Sequence, residues 1–251
     1  MTTSPNSDLS VAIEFRDVGL QINDKVLVKD LRFAIKPGET LVLLGRSGSG
    51  KTTTLKLINR LLEPTSGQIL IDGTPTSEWD IIKLRRRIGY VIQETGLFPH
   101  FTVERNVALV PRLENWEAEK TRRRVRDLLE LVGLNPQVFA QRFPQELSGG
   151  QRQRVGVARA LAADPPIILM DEPFGALDPL TRAELQQEFA NLAKKLNKTI
   201  VFVTHDIREA FKLATRIGLF QDGKLIELSE PKEFLESKSV EARAFLETLN
   251  Q

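Results

Sequence analysis

Cysteine is missing from all 251 residues. That removes disulfides and thiolate metal sites, leaves any metal to oxygen ligands, and suits a reducing cytoplasm. No uninterrupted apolar stretch approaches the roughly 20 residues a membrane-spanning helix needs, so any membrane role must come through partners. A dominant charge is missing too: 35 basic side chains face 33 acidic ones, and a net charge of +2 gives no argument for nucleic acid as a partner. The polar stretch 1–10 has neither the basic nor the apolar segment of a secretory signal and reads as a short disordered tail. Internal repeats and low-complexity segments are absent as well.

What is present is a hydrophobic content of 41%, spread evenly enough to predict one compact unit over 11–251. From Val11 to Ile35 an alternating pattern rich in Val, Ile and Phe predicts an antiparallel strand pair with a turn near Asn23-Asp24. Thr40 to Leu44 is a short apolar run that ends in a Gly-rich loop, and Lys51 to Leu62 reads as a helix, giving a strand, loop, helix unit. Thr102 to Phe143 reads as helical. Asn115 is its expected cap, Glu117 and Glu119 suit a first turn, and Val125, Leu128, Leu129 and Val132 form one face before Gly133. This segment interrupts the α/β pattern as an inserted helical subdomain, at about 94–160. Strand-like runs return at Ile167 to Met170, Thr199 to Thr204 and Ile217 to Phe220, alternating with helices. The expectation is an α/β fold with a mainly parallel sheet covered on both faces and an N-terminal antiparallel β subdomain. The stretch 231–251 reads as amphipathic helix. The runs Arg85-Arg86-Arg87 and Arg122-Arg123-Arg124 read as solvated helix faces.

Three motifs carry chemistry. Gly45-Arg46-Ser47-Gly48-Ser49-Gly50-Lys51-Thr52, followed by Thr53, fits the phosphate-binding loop. Its glycines let backbone N–H groups curl around phosphate oxygens at a helix N-terminus, Lys51 reaches the outer phosphates, and Thr52 ligates Mg²⁺. Asp171 and Glu172 end an apolar strand, where ligands sit in open α/β sheets. Asp171 can hold Mg²⁺ through water and Glu172 can polarise an attacking water, although two adjacent acids can equally just end a strand at the surface. Leu147-Ser148-Gly149-Gly150-Gln151 opens a helix. Ser148 with two glycines there makes a second anion-binding tip, or, standing alone, an ordinary capped helix.

The ordered set of phosphate loop, Gln93, LSGGQ, Asp171-Glu172, Asp178 and His205 resembles an ATP-binding-cassette (ABC) ATPase over about residues 11 to 230. The resemblance implies that Gln93 ends a strand and links the Mg²⁺ and water site to the helical subdomain. It also implies that His205 contacts the γ-phosphate and that Asp178 communicates across a dimer interface. It further implies a head-to-tail dimer of nucleotide-binding subunits in which Ser148, Gly150 and Gln151 of one copy cover ATP held by the other. Where the family stacks adenine on an aromatic side chain, this sequence places Ile22. Leu97 and Phe98, just past the coupling glutamine, are the expected grip on a permease helix.

The stretches YVIQETGLFPHFTVERNVA and DEPFGALDPLTRAELQQEF are most similar to importers of glycine betaine, choline and carnitine. That similarity implies permease subunits, an extracytoplasmic binding protein working with them, and a place on the cytoplasmic face of the inner membrane. Some members of that group carry a C-terminal pair of regulatory domains, which is not expected here. Motors of other importers, such as those for amino acids, share the pattern. A DNA- or ribosome-acting ABC ATPase fits less well, because this sequence has no inserted coiled coil, no zinc cysteines and no second cassette. Neither an exporter motor nor a non-hydrolysing regulator fits as well, given Arg142-Phe143-Pro144-Gln145-Glu146 before LSGGQ and the presence of Glu172 and His205.

Overall fold

The structure, a computed structural model, describes residues 11–93, 96–175 and 177–250. The expected tail at 1–10, Glu94 and Thr95 of the coupling segment, Ala176 and Gln251 lie outside the described residues. In chain order, β1 (Ile13–Ile22) and β2 (Lys25–Ile35) form the expected hairpin, and β3 (Thr40–Gly45) leads through the glycine-rich loop into α1 (Lys51–Ile58). Next come β4 (Ser66–Ile71), β5 (Thr74–Pro75), α2 (Ile81–Arg86) and β6 (Ile88–Val91). The helices α3 (Val103–Val107), α4 (Leu109–Leu113), α5 (Ala118–Leu131), α6 (Pro136–Phe139) and α7 (Gly149–Leu161) follow as a block. Alternation then resumes with β7 (Ile167–Asp171), α8 (Pro179–Leu196), β8 (Thr199–Thr204), α9 (Ile207–Leu213), β9 (Arg216–Gln221) and β10 (Lys224–Ser229). After these come α10 (Pro231–Leu235) and α11 (Val240–Glu247).

The strands make two sheets, an antiparallel one in the order β2-β1-β4-β5 and a larger one in the order β10-β9-β3-β8-β7-β6. In the larger sheet β9, β3, β8, β7 and β6 run parallel, and only β10 is antiparallel, at the edge. Strands here are apolar throughout because side chains alternate between two covered faces. Leu41 and Leu43 of β3 join Leu169, Val201 and Val203 in one core, while Val42 and Leu44 join Ile168, Met170, Ile200 and Phe202 in another. Truncating such a fully buried side chain to Ala costs about 2–5 kcal/mol. The first core continues into the antiparallel sheet through Ile13, Phe15 and Ile35. The second continues into the helical block through Val103, Val107, Val125, Leu128 and Leu129. The inserted helices therefore share a core with the sheet they flank.

Several local expectations are corrected. The cap of α5 is Glu117, not Asn115, which sits in the preceding turn at φ 57°, a left-handed conformation that Asn tolerates better than most residues. The first helix stops at Ile58, short of Leu62, because Arg60 turns left-handed at φ 52°. The arginine runs are not simply solvated. Arg85 donates to the carbonyls of Asn59 (3.2 Å) and Arg60 (2.7 Å), and Arg124 donates to those of Leu161 (2.9 Å) and Ala162 (3.2 Å). Each satisfies carbonyls that a helix end leaves without partners. The stretch after Pro231 is two short helices and a 3₁₀ turn, because Ser239 starts a new cap.

Candidate functional site

Four parallel strands deliver their C-terminal ends to one edge of the larger sheet. The glycine-rich loop follows β3, Asp171 ends β7, Glu172 comes next in the chain, and His205 directly follows β8. Gln93 lies two residues beyond the end of β6 rather than within the strand. Carboxyl ends of parallel strands are where open α/β sheets place ligands.

The loop is built to leave donors free. Gly50 occupies the N-cap of α1 at φ 103°, where a Cβ would lie 2.9 Å from the Leu27 carbonyl oxygen, and no side chain caps the helix. The first-turn N–H groups of α1 are thus available to an anion. Lys51 is buried, and its Nζ donates to the carbonyls of Gly45 and Arg46, each at 2.8 Å. Burial pulls its ammonium below the usual lysine range, while the nearby carboxylates of Glu172 and Asp171 oppose the shift. A cavity of about 530 Å³ opens here, lined by Ser47, Gly48, Ser49, Gly50, Lys51, Thr52, Thr53, Gln93 and Glu172. Lys25, Val26 and Leu27 of the hairpin form its other wall. Ile22, 44% exposed, does not line it. Val26, 51% exposed, is the aliphatic side chain of the hairpin that lies on the wall. The Arg46 guanidinium turns outward, with Nε 2.7 Å from Glu241 Oε1 on α11.

Beneath the lining residue Thr52, the buried Asp171 carboxylate is already hydrogen-bonded. Thr52 Oγ1 donates to Asp171 Oδ1 at 2.7 Å, and the Tyr90 hydroxyl donates to Oδ2 at 3.5 Å. Burial raises the Asp171 carboxyl above the usual carboxylate range against the pull of the Thr52 hydrogen bond, and burial followed by the Asp171 charge raises the Tyr90 phenol. A hydroxyl and a carboxylate in contact are hard oxygen donors of the kind Mg²⁺ takes, with phosphates and water completing its shell. Among the described residues no cluster of three acidic, His or Cys side chains could hold a metal ion.

Glu172 has φ 43°, a left-handed conformation costing a non-glycine residue about 1–2 kcal/mol. The surroundings hold it there: its N–H donates to the Val203 carbonyl at 3.0 Å, and its own carbonyl accepts from Gly175 N–H at 3.1 Å. The carboxylate points to His205, with Oε2 3.1 Å from Nδ1. When Glu172 is ionised it can only accept, so the proton in that contact sits on Nδ1.

The second tip lies apart from this cavity. Ser148 Oγ accepts from Gln151 N–H (3.2 Å) while Gln151 Oε1 accepts from Ser148 N–H (2.9 Å), a reciprocal cap on α7. Gly150 lets α7 approach α8, since a Cβ there would meet Thr181 Cγ2 at 2.7 Å. Asp178 caps α8 by accepting from Thr181 N–H (3.1 Å), which lowers its carboxyl from the usual range. None of Ser148, Gly150, Gln151 and Asp178 lines the cavity. Of the expected grip residues, Leu97 is half-buried against the core and Phe98 is 40% exposed.

Sequence reasoning missed the Asp222-Gly223 turn, which lines the cavity and braces the loop: Gly223 N–H donates to Ser49 O (3.1 Å) and Lys29 N–H to Gly223 O (2.8 Å). An Asp-Gly pair between two strand-like runs was the available signal. Tyr90, Val26 and Glu241 were missed too, and nothing local marks them.

A family model described as ABC transporter matches residues 28–175. The chain is 55% identical over 217 residues to the glycine betaine/carnitine/choline transport ATP-binding protein of Bacillus subtilis (strain 168), covering 86% of this chain and 57% of that protein. It is 50% identical over 208 residues to the osmoprotectant import ATP-binding protein of Salmonella typhimurium (strain LT2), covering 83% and 54%. It thus spans about half the length of the curated relatives it matches. Among solved structures it is similar to a dimeric ATP-binding cassette in a post-hydrolysis state bound to ADP and Pi (TM-score 0.77, 36% identity, 87% of this chain and 98% of that one). It is also similar to a component of an ABC transporter complex from Clostridium perfringens (TM-score 0.82, 29% identity, 94% and 95%). The expected α/β cassette fold is borne out.

Proposed function

This chain belongs to the ABC transporter family, and from that premise we propose that it is the ATP-hydrolysing motor of an importer for quaternary-amine osmoprotectants such as glycine betaine, choline or carnitine. The observation that carries the ATPase reading is the convergence of Lys51, Thr52, Asp171, Glu172 and His205 on one edge of the sheet. The substrate class rests on what the relatives are called.

In this reading the uncapped start of α1 binds the ATP phosphates, and Lys51 exchanges its carbonyl partners for phosphate oxygens. Thr52 and Asp171, with Gln93 beside them, hold Mg²⁺. When bound, Mg²⁺ orients the phosphates and neutralises charge developing on them. Glu172 accepts a proton from the attacking water, and His205, steered by Glu172, faces the γ-phosphate. Such catalysis is positioning and electrostatics, and both improve when water is excluded. Exclusion here requires a second copy, head to tail, whose Ser148, Gly150 and Gln151 cover the open cavity while Asp178 sits at the junction. ATP then holds the copies together and hydrolysis lets them part, a switch that permease subunits convert into transport. No helix among the described residues is long and apolar enough to cross a membrane. The chain's likeness to transport ATP-binding proteins supports a place for it on the cytoplasmic face of the inner membrane. It reaches the permease through the groove of about 350 Å³ beside Phe98, and an extracytoplasmic binding protein acts through that permease.

The purified chain is expected to release phosphate from ATP only with Mg²⁺ present. Cells lacking its gene are expected to lose uptake of at least one labelled quaternary amine. Phosphate release without Mg²⁺ contradicts the metal reading, and intact uptake of all three amines, with amino-acid uptake lost instead, replaces the substrate class.

A further inference from the structure

Glu209, on the first turn of α9, is 4% exposed, and a carboxyl so deeply buried is costly unless it is hydrogen-bonded. It has two partners from different elements. Gln186 Nε2 donates from α8 at 2.8 Å, and Thr204 Oγ1 donates from the end of β8 at 2.5 Å. The Thr204 hydroxyl, its proton directed at Glu209, accepts from Asp206 N–H at 2.9 Å. One hydroxyl therefore ties the residue before His205 to the residue after it. Asp206 completes the arrangement by accepting from Arg208 N–H at 2.8 Å, which caps α9.

His205 projects from this closed turn with a side chain 58% exposed, and it meets Glu172 at 3.1 Å. A side chain that open is aimed by its backbone, and the backbone is held from below. We propose that Glu209 is a positioning residue for His205, fixing through Thr204 the turn that points the imidazole at Glu172 and the phosphate site. This rests on the reading of His205 as a phosphate-site residue. Gln186 lies on α8, the helix Asp178 caps, so the same network joins the His205 turn to the element leading away from Glu172.

The test is ATPase kcat and KM, with thermal melting, for Thr204→Val, Thr204→Ser, Glu209→Ala, His205→Ala and the Glu209→Ala/His205→Ala pair. A reacting group displaced by about 1 Å loses on the order of 10²-fold in rate. Thr204→Val is therefore expected to lower kcat by about ten- to a hundredfold with KM nearly unchanged, and Thr204→Ser, which keeps the hydroxyl, to recover most of it. In the pair, Glu209→Ala is expected to subtract nothing beyond His205→Ala, because both act through one group. Additive losses in the pair, or a Thr204→Val enzyme with the wild-type kcat, overturn the proposal. If Glu209→Ala does not fold, the Thr204 variants decide alone. A His205→Ala enzyme with full turnover strikes the reading of His205 itself, whereas an impaired His205→Ala beside an unimpaired Thr204→Val strikes only the role of Glu209.

Discussion

The chain has two glycine-containing helix starts that sequence alone marks as anion-binding, and they are built in opposite ways. At α1 no side chain caps the helix, Gly50 is left-handed, a buried lysine lies across the loop, a carboxylate and a hydroxyl line one cavity, and an imidazole stands 3.1 Å from that carboxylate. At α7 Ser148 and Gln151 cap each other, and the cation beside them, Arg152, is spent on the Leu147 carbonyl. The first start leaves its donors open to a ligand, and the second spends its own within the helix. The difference teaches that donor groups left unspent, more than glycine content, identify a binding site, and the proposed function assigns the second start to another copy's site.

That contrast is sharpest under substitution. Lys51→Ala is expected to weaken ATP binding and lower phosphate release by 10² or more, since it removes the cation at the complete half. Equilibrium binding to the single chain together with turnover checks both. Ser148→Ala is expected to leave single-chain binding unchanged and lower turnover by about tenfold, with a loss of about 1 kcal/mol from the helix cap. If it weakens single-chain binding as much as Lys51→Ala does, the two halves are not separate. The smallest effect concerns pH. Burial raises the Glu209 carboxyl above its ordinary 4.5, with Asp206 adding to the shift and Thr204, Gln186 and Arg182 opposing it. The folded protein keeps that proton to higher pH than the unfolded chain does. The resulting stability is complete below 4.5 and is lost as pH rises through the folded value. Against Glu209→Gln, which does not titrate, urea melts of the wild type are expected to show this relative loss, while Asp171, present in both proteins, cancels.

Much of this was readable before the structure. The apolar run at 40–44 announced a strand buried on both faces, and the phosphate loop, Asp171-Glu172 and His205 fall at or just past the carboxyl ends of parallel strands, because such motifs are local. What was unreadable depends on contacts between distant segments. That Val26 lines the cavity follows from hairpin register, in which one step moves a side chain to the other face. Arg85 and Arg124 looked like solvated charges because the carbonyls they bind are far away in sequence. Leu97 and Phe98 are neighbours of like character, and only packing decides that Leu97 is half-buried against the core while Phe98 is exposed. Tyr90 reaches Asp171 from a neighbouring strand, a pairing no single segment encodes.

The central claim, that one half-site here is completed by the rim of another copy, is tested most directly with Glu172→Gln. Turnover and oligomeric state are measured together, with and without ATP and Mg²⁺. The account predicts that turnover is lost while a stable dimer forms only when ATP is present. Sustained turnover, or a chain that stays monomeric with ATP bound, contradicts it.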